Sequence, residues 1–288
     1  MNQSDLWQPT RRIERAFFRA MRDIARRITA LTKGLAPDEM IAALQDFSQS
    51  LAFRKFAETA AMKMVTGLFA DQGRTWRQAA AAHGKGRELY KALMQELKGE
   101  RGIRLDSLIT DITYRIVTLP EDIGKDVAAY VERETLKGRR ASEIEKEIRR
   151  MFPGRTHANA KLIARTQVSY TQTNLTRVRA EKLNIRWYVW QAVGNSKGDG
   201  RTRRSHRGMS DVLVSWNDPP APEDLFPNYT KTGRKYRNTL GHYHAGQCPN
   251  CRCYPEPVID LDLYQWPMRV YRHGKIERMS RKQFKRIM

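Results

Sequence analysis

The stretch 185-IRWYVWQAV-193 decides the fold class. It is aromatic and β-branched, bounded by Asn184 and Gly194, and it reads as a buried or half-buried strand. Everything before it reads as helix. In 11-RRIERAFFRAMRDIARRITAL-31, Ile13, Phe17, Met21, Ile24, Ile28 and Leu31 recur at three and four, with Gly34 as a stop. A second helical run spans 37–70 and opens on Pro37, Asp38 and Glu39, a first-turn signature. A third spans 74–99, and helical periods over 102–138 are separated by Leu119-Pro120. Ser142 and Glu145 form a capping box for a short helix expected to end before Pro153. A long polar helix with a narrow apolar stripe fills 156–184. Beyond 193 the character changes. The segment 210-SDVLVSW-216 reads as a second strand, and 217–257 is rich in Pro, Gly, Asn and His with little periodicity. The reading is therefore α+β: an extended, mainly helical N-terminal part, then a small mixed domain.

A loop region of that length needs something other than an apolar core to hold it. All three cysteines lie inside it, in 242-HYHAGQCPNCRCYPEP-257. Cys248, Cys251 and Cys253 offer thiolates in a tight turn, the ligand type Zn²⁺ prefers in tetrahedral sites. The fourth ligand is open between His206, His242 and His244. A remote residue, His206, has the advantage of stapling the loop to the strand region, and zinc then supplies folding energy that the thin core lacks. Ordinary buried cysteines, or a disulfide between two of them, are the alternatives. Four protein ligands would close the site, which makes the expected zinc structural.

The chain has 53 Lys and Arg against 31 Asp and Glu, a formal charge of +22. The sequence pI is about 10.2 and the mean hydropathy −0.68. Such an excess predicts attraction to a polyanion, most simply nucleic acid. No apolar run approaches the ~18 residues needed to span a bilayer, and the N-terminus lacks the apolar region of a secretory signal. An odd cysteine count fits a reducing compartment. A protein starting in a cytoplasm, with no membrane partner, is the expectation.

The order of the motifs carries a resemblance. Helix 163-IARTQVSYTQTN-174, strand 186-RWYVWQAV-193, the run 199-DGRTRRSHRGM-209 and 248-CPNCRC-253 followed by a proline resemble the phage head-morphogenesis, or Mu F-like minor head protein, family over roughly residues 155–257. Gln167 stands where that family tends to have Glu, and Cys248 where it often has His. The second exchange fits a metal ligand, since His and Cys both bind zinc. The resemblance also points to His206 as the fourth ligand. It implies a minor capsid protein of a tailed phage or prophage, inside the head at or near the portal vertex and in the host cytoplasm during assembly. The implied partners are the portal protein, major capsid or scaffold protein, and non-specifically bound double-stranded DNA. Residues 1–154 are then a helical docking arm, 155–268 the zinc-stapled α+β domain and 269–288 a basic tail.

Candidate contacts to DNA or portal are Arg201, Arg203, Arg204, Arg281, Lys282, Lys285 and Arg286. Arg165 either hydrogen-bonds the loop or faces solvent. Trp187, Tyr188 and Trp190 fit a core better than a base-stacking platform. No catalytic residue is assigned. The rival readings are a zinc-containing nuclease or other DNA-acting enzyme using Asp199 and His206, and a DNA-binding regulator. The first lacks a second carboxylate cluster and the second lacks a helix-turn-helix pattern.

Overall fold

A computed structural model describes residues 7, 11–82, 101–193, 202–227, 229, 233 and 240–288, without the side chains of 80–82 and 101–104. The candidate residues Asp199 and Arg201 lie outside the described set. The chain divides into two compact units that are not contiguous in sequence. One is Arg11–Gly67 with Glu100–Gln167; the other is Met1–Thr10, Leu68–Gly99 and Val168–Met288. Their limits differ from the segments 1–154, 155–268 and 269–288, because long helices run through both 67 and 154.

The first unit is helical. Helix α1 (Arg11–Leu31) buries Ile13, Phe17, Met21, Ile24 and Ile28 and stops before Gly34, whose φ is +84°. The expected helix over 37–70 is in fact two, α2 (Pro37–Gln49) and α3 (Leu51–Ala82). Ser50 makes the break: its backbone is extended and its Oγ accepts from Phe53 N at 3.2 Å, an N-cap contact the periodicity does not reveal. Helix α4 (Arg101–Val117) and helix α5 (Leu119–Leu136) divide at Leu119-Pro120 as the sequence predicts. Helix α2 packs on α5, where Leu44 lies over Gly124 and Ser48 Oγ donates to Glu121 at 2.7 Å.

Helix α6 (Ala141–Lys182) corrects the expected end before Pro153. It continues straight through that proline. A mid-helix proline costs about 3 kcal/mol, yet Ile148 and Phe152 before it and Ala160 and Ala164 after it are all buried on the same element. Tertiary burial of that face outweighs the lost backbone bond. Ser142 sits inside the first turn rather than at the cap. Arg165 does not stand alone in solvent; its Nε is 3.7 Å from Glu14 on α1.

The second unit is built on a five-stranded sheet: β1 (Trp187–Gln191), β2 (Val212–Ser215), β3 (Tyr254–Pro257), β4 (Met268–Arg272) and β5 (Lys275–Met279), in the order β3-β1-β2-β4-β5. Strand β1 pairs antiparallel with β2 and β3, β2 is parallel to β4, and β4–β5 is antiparallel. Every residue of β1 is buried, the signature of a central strand covered on both faces. One face carries Tyr188, Trp190, Val212 and Val214, packed with Ala180, Trp76 and the three cysteines. The other carries Trp187, Val189, Leu213 and Val270 over Phe284, with Trp187 edge-on to that ring at 5.0 Å.

Chain direction reverses into β1 at Asn184, whose φ of +53° and the Ile185 N to Ala180 O bond of 2.8 Å close the end of α6. The C-terminal residues are more than the expected basic tail. They form β4, β5 and the short helix α9 (Arg281–Lys285). His273 (φ +45°) and Gly274 (φ +82°) provide the two left-handed residues of a two-residue hairpin turn. His273 N donates to Asp218 at 2.9 Å, so the turn is docked.

Candidate metal centre

Two short elements and one turn build the site. Helix α7 (Arg204–Gly208) lies between β1 and β2 and carries His206, which is 2% exposed. The turn 248–253 closes through Cys251 N to Cys248 O at 3.1 Å, with Asn250 at a left-handed φ of +59°. Cys253 adjoins β3, where Tyr254 pairs with Gln191 of β1, so the sheet fixes its backbone.

His206 Nδ1 is 3.4 Å from the sulfur of Cys251 and 3.4 Å from that of Cys253. The three ligand atoms lie within 4.8 Å of one another and all three residues are buried. A tetrahedral zinc with ordinary Zn–S and Zn–N bonds sets S···N edges of about 3.5 Å. The observed edges match that figure, so the donor set fits the ion in both chemistry and size. Cys253 N also donates to Cys251 Sγ at 3.2 Å. Cys251 has its pKa held well below the ordinary thiol value by hydrogen bonding from Cys253 and by His206, while that of Cys253 is raised by Cys251 and by burial.

The other nitrogen of His206 is engaged too. Nε2 lies 3.0 Å from Tyr243 Oη, which donates to Glu223 Oε1 at 2.7 Å. Glu223, on helix α8 (Pro222–Leu225), also accepts from Ser205 Oγ at 3.3 Å. Burial, then Glu223, keeps the Tyr243 phenol protonated. Such a chain of outer partners fixes the ring orientation of a metal-ligating histidine.

Cys248 stands apart from the triad. Its sulfur accepts from Arg203 Nη1 at 2.7 Å, and Arg203 Nη2 donates to Pro249 O at 3.1 Å. Burial pushes its thiol up to about 12, opposed by the Arg203 charge. All three cysteines are free of disulfide bonds. His242 is exposed, with Nδ1 2.7 Å from Pro219 O. His244 is buried elsewhere, between Tyr188 Oη at 3.1 Å and Arg177 Nη1 at 3.5 Å. Of the three candidate histidines, the structure brings His206 to the sulfurs.

Sequence reading missed what holds the turn in place. Ser169 Oγ donates to Cys251 O at 2.8 Å, Thr173 Oγ1 donates to Ala245 O at 2.6 Å, and Arg177 meets His244. These residues recur at four on one side of α6, the spacing that aligns side chains on a helix. Gln247 Nε2 adds a bond to Asn174 Oδ1 at 3.0 Å. The polar stripe inside 163-IARTQVSYTQTN-174 is the signal: its Ser169 and Thr173 hydroxyls serve loop carbonyls rather than solvent.

Among the proposed contact residues, Arg203 is committed to the cysteine turn and Arg281 pairs with Asp262. Arg204 lies over the Tyr229 ring at 5.5 Å. Lys282, Lys285 and Arg286 are exposed. Trp187, Tyr188 and Trp190 are core residues.

His244 carries a pH prediction. Burial first, then the Arg177 charge, lowers its pKa from 6.5 to about 4. The folded imidazole therefore stays neutral where the unfolded one takes a proton. Stability from this residue is complete above about pH 6.5 and declines as pH falls toward 4. Linkage gives a loss of about 2 kcal/mol between pH 7 and pH 5. Urea unfolding at both pH values should show that drop in the native chain and a smaller one in His244→Asn; equal drops would refute it.

A small α+β domain with a buried Cys/His cluster is the class defined by this fold and site. Residues 125–255 match the family model of phage Mu protein F like protein, a span that contains His206 and all three cysteines. That match agrees with the resemblance carried by the 199–209 and 248–253 motifs. No curated protein and no solved structure matches the chain. No helix among the described residues is long and apolar enough to cross a membrane.

Proposed function

We propose that this chain is a minor head protein of a tailed phage or prophage, acting in head morphogenesis and seated inside the head at or near the portal. What carries the reading is the coincidence of the matched span, 125–255, with the buried Cys/His cluster. Zinc held by His206, Cys251 and Cys253, with Cys248 as the fourth donor, would cross-link α7, the cysteine turn and the sheet. That is a structural role, and Arg203 would balance the charge of a three-thiolate centre. The portal protein is the principal partner, with major capsid or scaffold protein as further ones. The +22 charge suits contact with packaged double-stranded DNA.

The nuclease reading is disfavoured by the surroundings of His206. Its ring is buried, with one nitrogen facing two sulfurs and the other facing Tyr243. A general base must reach its substrate's proton, and nothing here leaves the imidazole free to do so.

Co-sedimentation with the portal ring encoded beside this chain tests the proposal. Co-migration at moderate salt is the expected result. A chain that stays in the supernatant while retaining zinc and DNA would overturn the portal assignment.

A further inference from the structure

Helix α1 bears a row of cations that the readings above leave unused. Arg11, Arg15, Arg19, Arg22 and Arg26 follow one another at spacings of four, four, three and four. At 3.6 residues per turn they fall within an arc of about 80°. The buried residues Ile13, Phe17, Met21, Ile24 and Ile28 occupy the opposite side. Arg11, Arg15, Arg19 and Arg26 are exposed and Arg22 is half-buried. The row extends over about 22 Å, with ~6 Å between neighbours four apart.

The row is costly as a mere solvated face. Like charges at these spacings destabilise a helix, and soluble surfaces usually intersperse both signs. Helix α1 has just two acids, Glu14 and Asp23. Of the row, Arg26 alone has an ion pair among the described residues, at 3.4 Å to Asp23 with both side chains exposed. Arg22 Nε is buried without a hydrogen-bond partner. Among the described residues the repulsion is relieved at Arg26 alone.

We infer that this face of α1 is a binding site for the phosphate backbone of double-stranded DNA. One strand carries a phosphate every ~3.4 Å of axis, so about six lie along the length of the row. Guanidinium forks suit phosphate oxygens geometrically. The contact carries no sequence information, since it engages phosphates alone. The inference deepens the DNA contact proposed above and rests on that reading. It places the contact on α1 rather than at Lys282, Lys285 and Arg286.

The test is titration of the full chain with a fluorescent duplex of random sequence across a series of salt concentrations. The variants are Arg15→Gln/Arg19→Gln/Arg26→Gln and, separately, Lys282→Gln/Lys285→Gln/Arg286→Gln. Each lost phosphate contact lowers the slope of log affinity against log salt by about 1. The α1 variant is expected to lose about 3 in slope and at least tenfold in affinity, while the C-terminal variant keeps the native slope. All six substituted residues lie outside the core, and unchanged thermal unfolding would show that the fold persists. An unchanged slope in the α1 variant, or a native chain that fails to bind duplex, overturns the assignment. So does an α1 variant that binds duplex normally but no longer sediments with the portal ring, which would mark an acidic protein surface as the ligand. Portal co-sedimentation of the native chain is a separate readout, so failure of the head-protein reading is distinguishable from failure of the α1 site.

Discussion

Cys253→Ser is expected to abolish metal retention and unfold the sheet-containing unit, with the helical unit left standing. The expectation follows from what the sulfur touches. Cys253 Sγ lies 3.4 Å from His206 Nδ1, and its backbone leads directly into β3. Serine oxygen is a poor replacement for a thiolate on zinc. Apparent binding energies of structural zinc, on the order of 10 kcal/mol, count as folding energy when no preformed site exists in the unfolded chain. Elemental analysis of native protein purified without chelator should find one zinc per chain, and the variant none. The unfolding has its own optical readout. Trp190 lies edge-on to His206 at 5.8 Å, and Trp216 packs on His244 at 5.3 Å. Their near-UV signals should collapse while far-UV helicity largely persists. Cys248→Ser is expected to weaken retention less, because Cys248 is held by Arg203 outside the triad. Native protein without metal would sink the zinc proposal, and a variant that keeps both metal and near-UV signal would remove Cys253 from the site.

The same residues explain how far the sequence could be read. Strand β1 was legible because five consecutive residues, 187-WYVWQ-191, are all buried, so composition alone marks them. Helix ends at Gly34, Pro37 and Leu119-Pro120 were legible because glycine and proline act locally. His206 and the cysteines were legible as a spacing of residue types. Pro153 misled because a local rule competes there with burial contributed by residues distant in sequence. The β4–β5 hairpin was hidden because just Met279 of β5 is buried; Lys275, Glu277 and Arg278 give charge without alternation. Arg203 looked like a nucleic-acid contact because its partner, Cys248, is 45 positions away. The hydroxyls of Ser169 and Thr173 had no visible purpose for the same reason, their acceptors lying 82 and 72 positions on. What the sequence hides is pairing across such separations.

Gly246→Ala is expected to be among the most destabilising single substitutions in the cysteine loop. Two independent effects converge on this residue. Its φ is +90°, where a side chain is strained; that conformation costs about 1–2 kcal/mol. An added Cβ would also sit 2.5 Å from Thr173 Oγ1, 2.8 Å from Cys253 O and 3.3 Å from Ser169 O. Two of these neighbours are backbone atoms, and the third is the hydroxyl that holds Ala245 O. Relieving the clash means pulling the loop off α6, and overpacking of this kind costs about 1–3 kcal/mol. The sum is about 2–5 kcal/mol, a large part of a typical domain's stability. Gly241→Ala is the control. Its φ is +73°, but nothing lies within 4 Å of the added carbon, so it carries the conformational cost alone. Urea midpoints should place Gly246→Ala about 2 kcal/mol below Gly241→Ala. Thr173→Ala in the Gly246→Ala background should recover part of that gap, because it removes the nearest clashing atom and couples the two sites. Equal midpoints for the two glycine variants would mean that the loop does not approach α6 this closely, and the polar stripe on that helix would lose its assigned role.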